Sequence, residues 1–561
     1  MTNDETRGAQ TRASQPPFVI RHSSFLRWCA FIAVALLALA IRLPQLGVRP
    51  MHTDEAVNGY ITGELLAGGT FQYDPKDRHG PALFVFAEPL VKLLGAKHFS
   101  DLTETQLRLT PVLLGSATIL LFGVCVETFG FVACLVAALL FAIAPLPVYY
   151  SRYFIHETLF VAATLGLIAC TGRLSGGWCS SRCDEPGGVQ PAEQNTAPAR
   201  RAVERGPACR SATSTTIVSA ALAGLCAALM LTSKETAVIH FFALGCVALA
   251  GWIWSARTGP RFGTGRHVAQ SQSGDVSPQS KLLSVVAALG VFAFTSILLF
   301  TWFGQNWQAL ADLIRAVPNF AARAGGEGHE KPFDYYFHLL DPMVVLSLIA
   351  AAGIYAAIYD AINHRKPHWL LAVYGGVVFI IYSAIPYKTP WLALNLWLPF
   401  ALLCGLGVAA FWEQIKKPSG CWGICVAGAF LLAALATQTK SLVFDHPFDE
   451  TNPLAYAHTG EDILRLAPRL EQLAKERNLR NPRVAVVAAD AWPLPWYLRK
   501  FSRVGYWQPG QETGPADFFI TSPEAAEKPG DQLKNFRQEY FGARPEVLII
   551  LWTPNAQPAS P

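Results

Sequence analysis

Apolar residues run through the first three quarters of the chain in blocks too long for ordinary soluble helices. A helix crossing the hydrocarbon core of a bilayer needs roughly 20 such residues, and about eleven stretches of that kind can be placed between Phe25 and Thr437. They fall near residues 26–46, 106–126, 131–149, 154–172, 214–232, 236–256, 282–303, 342–359, 368–385, 391–412 and 419–437. Residues 1–24 have no apolar period, and their Thr, Ser, Gln and Arg content predicts a disordered tail. The segments 173–213 and 257–281 are rich in Pro, Gly, Ser and Gln and read as flexible insertions without a core. Beyond Lys440 the pattern changes. Ile463, Leu464, Ala467, Leu470 and Leu473 recur with helical period, and strand-like runs follow at residues 483–489, 517–521 and 546–552. The pattern predicts a membrane domain over residues 25–439 and a small α/β domain over residues 440–561.

Composition sharpens this into a fold class. Of 561 residues, 52% are hydrophobic and 15% charged, and the mean hydropathy is +0.29. Soluble domains carry about 25% charged residues, so a soluble multidomain enzyme is excluded and the chain reads as a polytopic α-helical membrane protein. The net charge of +5 is spread over inter-helix loops with no continuous basic stripe, which leaves no footprint for nucleic acid. Arg173, Arg182, Arg200, Arg201, Arg205, Arg210, Arg257, Arg261 and Arg266 gather in the two insertions, which the positive-inside rule makes cytoplasmic. The amino terminus is then inside, and an odd number of spans puts the carboxy-terminal domain outside the cytoplasmic (inner) membrane. The first segment also resembles a signal peptide, with Ala38 and Ala40 near a cleavage site; as a span, it lets Arg42 snorkel to the interface. All 12 cysteines fall in predicted spans or cytoplasmic loops, so no disulfide framework is implied. Cys179 and Cys183 lack a second pair to complete a zinc site.

Charges at the predicted outward ends carry the chemistry. Asp54 and Glu55 follow the first span, Arg152, His156 and Glu157 separate the third and fourth, Lys234 and Glu235 the fifth and sixth, and Lys388 the ninth and tenth. Charged groups at the interface are costly unless paired or facing water. Convergence on one face therefore predicts a polar cleft, set against the plainer reading that hairpin tips are simply wet. The first outer loop, residues 47–105, contains RPMHTDEAVNGYITGELLAGGTFQYDPKDRHGPALF. Val57, Tyr60, Ile61, Leu65 and Leu66 give it an amphipathic helix lying on the membrane. Asp54 and Glu55 sit at the amino terminus of that helix. As caps they complement its dipole, worth about 0.3–1 kcal/mol. As functional groups they accept a proton from a hydroxyl nucleophile or hold a divalent cation, with His52 and Glu55 as candidate ligands. His79 and Gly80 precede Pro81, which suits the first turn of a second interfacial helix; His79 then contacts sugar or metal, or fixes the loop. The stretch 305–340 is Gly-rich in its middle and reads as a lid, an acceptor-binding element or a mobile connector. Trp492, Trp496, Tyr497, Tyr506 and Trp507 form a sugar-stacking surface or pack the small domain onto the interface.

The span ending LALAIRLPQLG, then RPMHTDEA and YDPKDRHGPALF, resembles the GT-C superfamily of polyprenyl-phosphate-sugar-dependent glycosyltransferases. It looks more specifically like the membrane proteins named "flippase activity-associated" within the protein O-mannosyltransferase-like group. YYSRYFIHETLF, LTSKETAV, PYKTPWL and AWPLPWYLRK extend the likeness over most of the chain, the tail and the two insertions excepted. The resemblance implies transfer of a sugar, with inversion, from a polyprenyl-phosphate-linked donor to a hydroxyl of a glycan, lipid or protein on the outer face. It maps the acidic pair of the first outer loop onto Asp54 and Glu55, with Asp54 as general base. Arg152, Lys234 and Lys388 become candidates for the leaving phosphate, His79 for donor contact, and Glu157 for positioning the acceptor or Arg152. A transporter or flippase helper that binds polyprenyl-linked saccharide without chemistry has use for the same cleft, and a non-catalytic scaffold that presents the outer domain to an assembly complex is a third reading. The apparent lack of an internal repeat, and the clustering of charge at one face, favour an enzyme over a transporter.

Overall fold

The computed structural model describes residues 24–74, 78–174, 207–257, 278–326, 328–341, 344–364, 366–415, 417–526 and 533–555. The predicted tail, the pair Cys179 and Cys183, and the centres of both insertions lie outside them. Among the described residues, nine helices are long and apolar enough to cross a membrane. They are α1 (Ser24–Arg42), α4 (Glu104–Val124), α8 (Glu157–Leu174), α9 (Pro207–Ser233), α10 (Ala237–Arg257), α11 (Pro278–Phe300), α14 (Val345–His364), α16 (Ala393–Gln414) and α17 (Pro418–Thr439). Two shorter apolar helices, α6 (Phe131–Ile143) and α15 (Trp369–Ala384), fall on the remaining two predicted stretches. The short α5 (Val126–Phe129) and α7 (Pro145–Tyr150) flank α6. The first insertion is narrower than the sequence suggests, because α9 begins at Pro207.

Phe294 and Phe430 are 67% and 75% exposed on α11 and α17, an outer surface whose natural solvent is lipid. The centre is α16, which packs on α6, α14 and α15. Small residues let these backbones approach: a Cβ on Gly405 would sit 2.1 Å from the Ala133 carbonyl oxygen, and one on Gly353 only 1.9 Å from that of Leu403. Arg42 does not snorkel. It is fully buried, donating to the carbonyls of Phe141 at 2.8 Å and Ala142 at 3.0 Å and to Ser151 Oγ at 2.6 Å. Those carbonyls close α6 and have no partner inside it, so the guanidinium caps that helix.

One end of the bundle carries the remaining short elements. Here lie α2 (Thr53–Leu66), α3 (Ala82–Leu93), α12 (Gln308–Arg323) and α13 (Tyr335–Leu340). The predicted lid or connector over 305–340 is thus largely helical; α12 buries Ala309 and Ala316 and leaves Ile314 and Val317 exposed. A π-helical turn, Lys440–Asp445, prolongs α17 towards the carboxy-terminal domain.

That domain is a five-stranded sheet with α18 (Leu466–Glu476), α19 (Leu494–Tyr497) and α20 (Pro523–Ala526). The strands β1 (Val484–Val487), β2 (Val504–Trp507), β3 (Phe518–Thr521), β4 (Phe536–Arg544) and β5 (Val547–Pro554) are ordered β2-β1-β3-β5-β4. β1 runs parallel to β2 and β3, and β5 antiparallel to β3 and β4. β1 and β3 are buried throughout, which is why they read as unbroken apolar runs. α18 buries Leu466, Leu470 and Leu473. The domain is not appended loosely, because its core continues into Met51, Ala56, Leu102, Leu107 and Phe154 of the membrane part. Trp496 is fully buried and donates through Nε1 to Glu104 Oε1 at 2.7 Å. A Cβ on Gly59 would meet its ring at 2.8 Å, so glycine is what lets α2 lie against it. Tyr497 Oη accepts from the Met51 amide at 2.8 Å. Of the two readings of the aromatic set, Trp496 and Tyr497 follow the packing one. α2, expected to lie on the membrane, is instead sandwiched beneath this domain.

Trp496→Ala should cost about 3–5 kcal/mol of docking. Limited proteolysis should then release the carboxy-terminal domain at protease levels that leave the unmodified chain intact.

Candidate active site

The site is built around the turn that starts α2. His52 is the amino-terminal cap, with extended backbone; its Nδ1 accepts from the Asp54 amide at 3.1 Å while Glu55 Oε2 accepts from the His52 amide at 3.2 Å. This reciprocal capping points Glu55 inward. The Glu55 carboxylate is fully buried. Arg108 donates to both its oxygens at 2.8 Å, Arg49 to both at 3.1 Å, and the Phe154 amide to Oε1 at 2.9 Å. Arg108 also gathers the carbonyls of Leu46, Arg49 and Pro50 at 2.7–3.1 Å. The Arg49 guanidinium lies 3.4 Å over the Tyr153 ring. Burial pushes the Glu55 carboxyl up, but Arg108, Arg49 and these hydrogen bonds outweigh it and hold the group well below the usual carboxylate range.

The expectation that Glu55 serves as catalytic group or metal ligand is therefore corrected. Its lone pairs are taken by two guanidinium groups and two amides, and an approaching cation would meet two positive charges. His52 is committed as well, Nδ1 to Asp54 and Nε2 to the Tyr456 carbonyl at 3.1 Å. The pair does not fit a divalent cation, and among the described residues no group of three or more His, Cys, Asp and Glu is placed to hold one.

Asp54 differs from its neighbour. It is half-buried, and among the described residues nothing donates to its carboxylate. The same turn of helix thus carries one acid that is fully paired and one whose oxygens are open.

The other predicted residues gather at the same end. Lys234, which follows α9, and Glu157, which opens α8, form a buried ion pair; the local pairing of Lys234 with Glu235 is not what forms. Glu235 instead meets His79 Nδ1 at 2.9 Å and accepts from Tyr73 Oη at 3.2 Å. Burial pushes the Glu235 carboxyl up, and His79 more than offsets this, lowering it from 4.5 to about 2. His156 Nε2 lies 3.1 Å from the Gly80 carbonyl oxygen. A Cβ on Gly80 would sit 2.1 Å from the Thr232 carbonyl oxygen, so this crossing requires glycine. Pro81 precedes α3 as the sequence suggests. His79 thus fixes its loop to the segment after α9.

Lys388 is buried and donates to the Ile385 carbonyl at 2.6 Å and that of Lys331 at 3.1 Å, with no carboxylate partner among the described residues. Arg152 is spent on the carbonyls that end α1, donating to those of Arg42 and Pro44 at 2.7 and 2.6 Å. A run of contacts joins the two halves of the cluster. The Tyr387 ring lies 4.8 Å from His329, whose Nδ1 is 2.7 Å from Tyr456 Oη, and the Tyr456 carbonyl meets His52. Arg49, His329, Tyr456 and His458 were not singled out from the sequence. Arg108 had a signal, as a lone charge inside an otherwise apolar predicted span.

No family model and no curated protein matches the chain. Among solved structures it is similar to ArnT from Cupriavidus metallidurans bound to undecaprenyl phosphate. The TM-score is 0.56 at 15% identity, covering 95% of this chain and 99% of that one. It is also similar to the archaeal oligosaccharyltransferase AglB from Archaeoglobus fulgidus in complex with an inhibitory peptide and a dolichol-phosphate, with TM-score 0.51 and 13% identity over 96% of this chain and 75% of that one. The chain is a polytopic helical membrane protein with the GT-C type of fold and a small carboxy-terminal sheet domain.

Removing Arg108 leaves a buried carboxylate half-paired, so Arg108→Ala should lower stability by about 3–5 kcal/mol, read as thermal unfolding in detergent. The Glu235 pKa is depressed on folding, so its contribution is present above 4.5 and lost as pH falls towards 2. Unfolding midpoints should therefore drop across that window, and Glu235→Gln should reduce the drop.

Proposed function

We propose that this chain is a membrane glycosyltransferase that moves a sugar, with inversion, from a polyprenyl-phosphate-linked donor to a hydroxyl acceptor. The reaction takes place on the outer face of the cytoplasmic membrane, with the amino terminus inside and the sheet domain outside. Within the GT-C class we place it with the O-mannosyltransferase-like, "flippase activity-associated" proteins on the strength of the motifs around Asp54, Arg152, Lys234 and Lys388. The observation that carries the reading is the contrast within one helical turn: Glu55 neutralised by two arginines, Asp54 open. Two proteins of the same fold, in complex with undecaprenyl phosphate and with dolichol-phosphate, support a lipid-linked donor.

The roles follow from charge and availability. Asp54 takes the proton of the acceptor hydroxyl as its oxygen attacks the anomeric carbon from the side opposite the phosphate. The bond from that carbon to the phosphate oxygen breaks, and the polyprenyl phosphate leaves with the electron pair. Lys388, a buried cation without a carboxylate partner, is assigned to the phosphate. Lys234 and Glu157, His79 and Glu235, and Arg152 hold the loops that frame the cleft.

The test is sugar transfer from radiolabelled polyprenyl-phosphate monosaccharides into membrane glycolipid or protein, with and without chelator. Asp54→Asn should lose about 10²–10⁴-fold in turnover while still binding donor. Unchanged transfer by Asp54→Asn would sink the assignment of the base. Donor binding without transfer by the unmodified chain would sink the enzyme reading in favour of a flippase-associated protein.

A further inference from the structure

Where the chain passes from α17 to α18, the segment Phe448–Asp462 and the β4–β5 turn enclose an open groove of about 580 Å³. It is not part of the cluster around Asp54, but it abuts it. His458 lines the groove and is only 4% exposed, and its ring lies 5.8 Å from that of His52, the cap of α2.

The polar groups on the walls are almost all acceptors. His458 Nδ1 lies 3.1 Å from the Thr459 carbonyl oxygen. A carbonyl only accepts, so Nδ1 carries the proton and Nε2 keeps a bare lone pair. That Nε2 is buried and has no hydrogen-bond partner among the described residues. Burial, with Arg49 and His52 nearby, holds the ring well below its ordinary pKa, so it stays neutral and cannot donate from Nε2 at pH 7. Glu450 and Glu461 line the same groove with no partner among the described residues. The other charges there are already used: Asp449 by His446 at 2.7 Å, Asp462 by Arg465 and the Gly542 amide, and Arg544 by Asp490 at 3.0 Å. Phe448 adds an aromatic face, its ring 6.1 Å from that of His458.

Two free carboxylates, an unprotonated imidazole nitrogen and one aromatic ring ask for a ligand that is rich in hydrogen-bond donors, carries an apolar face and bears no negative charge. A sugar ring meets all three conditions. We propose that this groove is a saccharide-binding site that holds a sugar unit of the acceptor, with Glu450 and Glu461 accepting from its hydroxyls, and His458 Nε2 accepting once the ring turns to expose it. Its assignment to the acceptor rests on the glycosyltransferase reading; saccharide binding itself does not. The free carboxylates select against phosphorylated or uronate sugars at this position.

The experiment uses the full chain in lipid nanodiscs and three probes read by saturation-transfer NMR: mannotriose, which is neutral, the cationic glucosamine dimer and the anionic digalacturonate. Mannotriose should bind, digalacturonate should not, and the exposed-site double variant Glu450→Gln/Glu461→Gln should weaken mannotriose about tenfold. His458→Phe, checked for an unchanged unfolding midpoint, should weaken it similarly. No mannotriose binding, equal binding by the double variant, or binding of the glucosamine dimer alone and only at low salt would overturn the proposal. In the transfer assay the double variant should raise the acceptor KM about tenfold and leave donor binding unchanged. Transfer without mannotriose binding would sink the groove alone, whereas mannotriose binding without transfer would sink the enzyme reading and leave a saccharide site.

Discussion

The buried Glu55 carboxylate, clamped by Arg108 and Arg49, is the interaction on which the rest of this end of the molecule depends. Arg108 comes from α4, Arg49 from the loop after α1, and the Phe154 amide from the loop before α8. One carboxylate therefore ties three separate parts of the membrane bundle to the first turn of α2. Breaking such a group while leaving its partners in place exposes uncompensated charge in a water-poor setting, which makes the arrangement close to all-or-none. Arg108 also binds the carbonyls of residues 46, 49 and 50, so the loop leading into α2 has little freedom of its own.

That rigidity underlies the role proposed for the neighbouring carboxylate. Asp54 sits one residue earlier on a turn whose position is fixed from three sides and whose far face is covered by the sheet domain through Trp496 and Tyr497. As the proposed base, a carboxylate held on such a turn needs no reorganisation when a hydroxyl arrives, and Glu55 offsets one of the two guanidinium charges behind it. The same logic extends outward. Lys234 with Glu157 and His79 with Glu235 are contacts between separate segments, and each ties down a loop rather than leaving a free charge on it.

Much of the fold was legible because the bilayer imposes a length on every crossing helix, and the apolar blocks record it directly. The sheet domain was legible where strands are buried on both faces: β1, β3 and β5 read as apolar runs. β2 and β4 did not, because they are the sheet edges, and FRQEYFGAR in β4 carries mostly polar, partly exposed side chains. The site was legible as a set of charges on one end of the bundle, but not as a set of pairs. Adjacent Asp54 and Glu55 look alike in sequence, and only the arrival of Arg108 from a helix some fifty positions away separates their roles. Lys234 shows the same limit, since its partner Glu157 comes from another helix rather than from the next residue.

Two adjacent acids, on this proposal, divide structure from chemistry. The most direct test compares thermal unfolding midpoints and donor-to-acceptor turnover for Glu55→Gln and Asp54→Asn at matched expression. The prediction is that Glu55→Gln unfolds at a markedly lower temperature, whereas Asp54→Asn keeps its stability to within about 1 kcal/mol and fails in turnover. A stable, active Asp54→Asn beside a stable but inactive Glu55→Gln would contradict it.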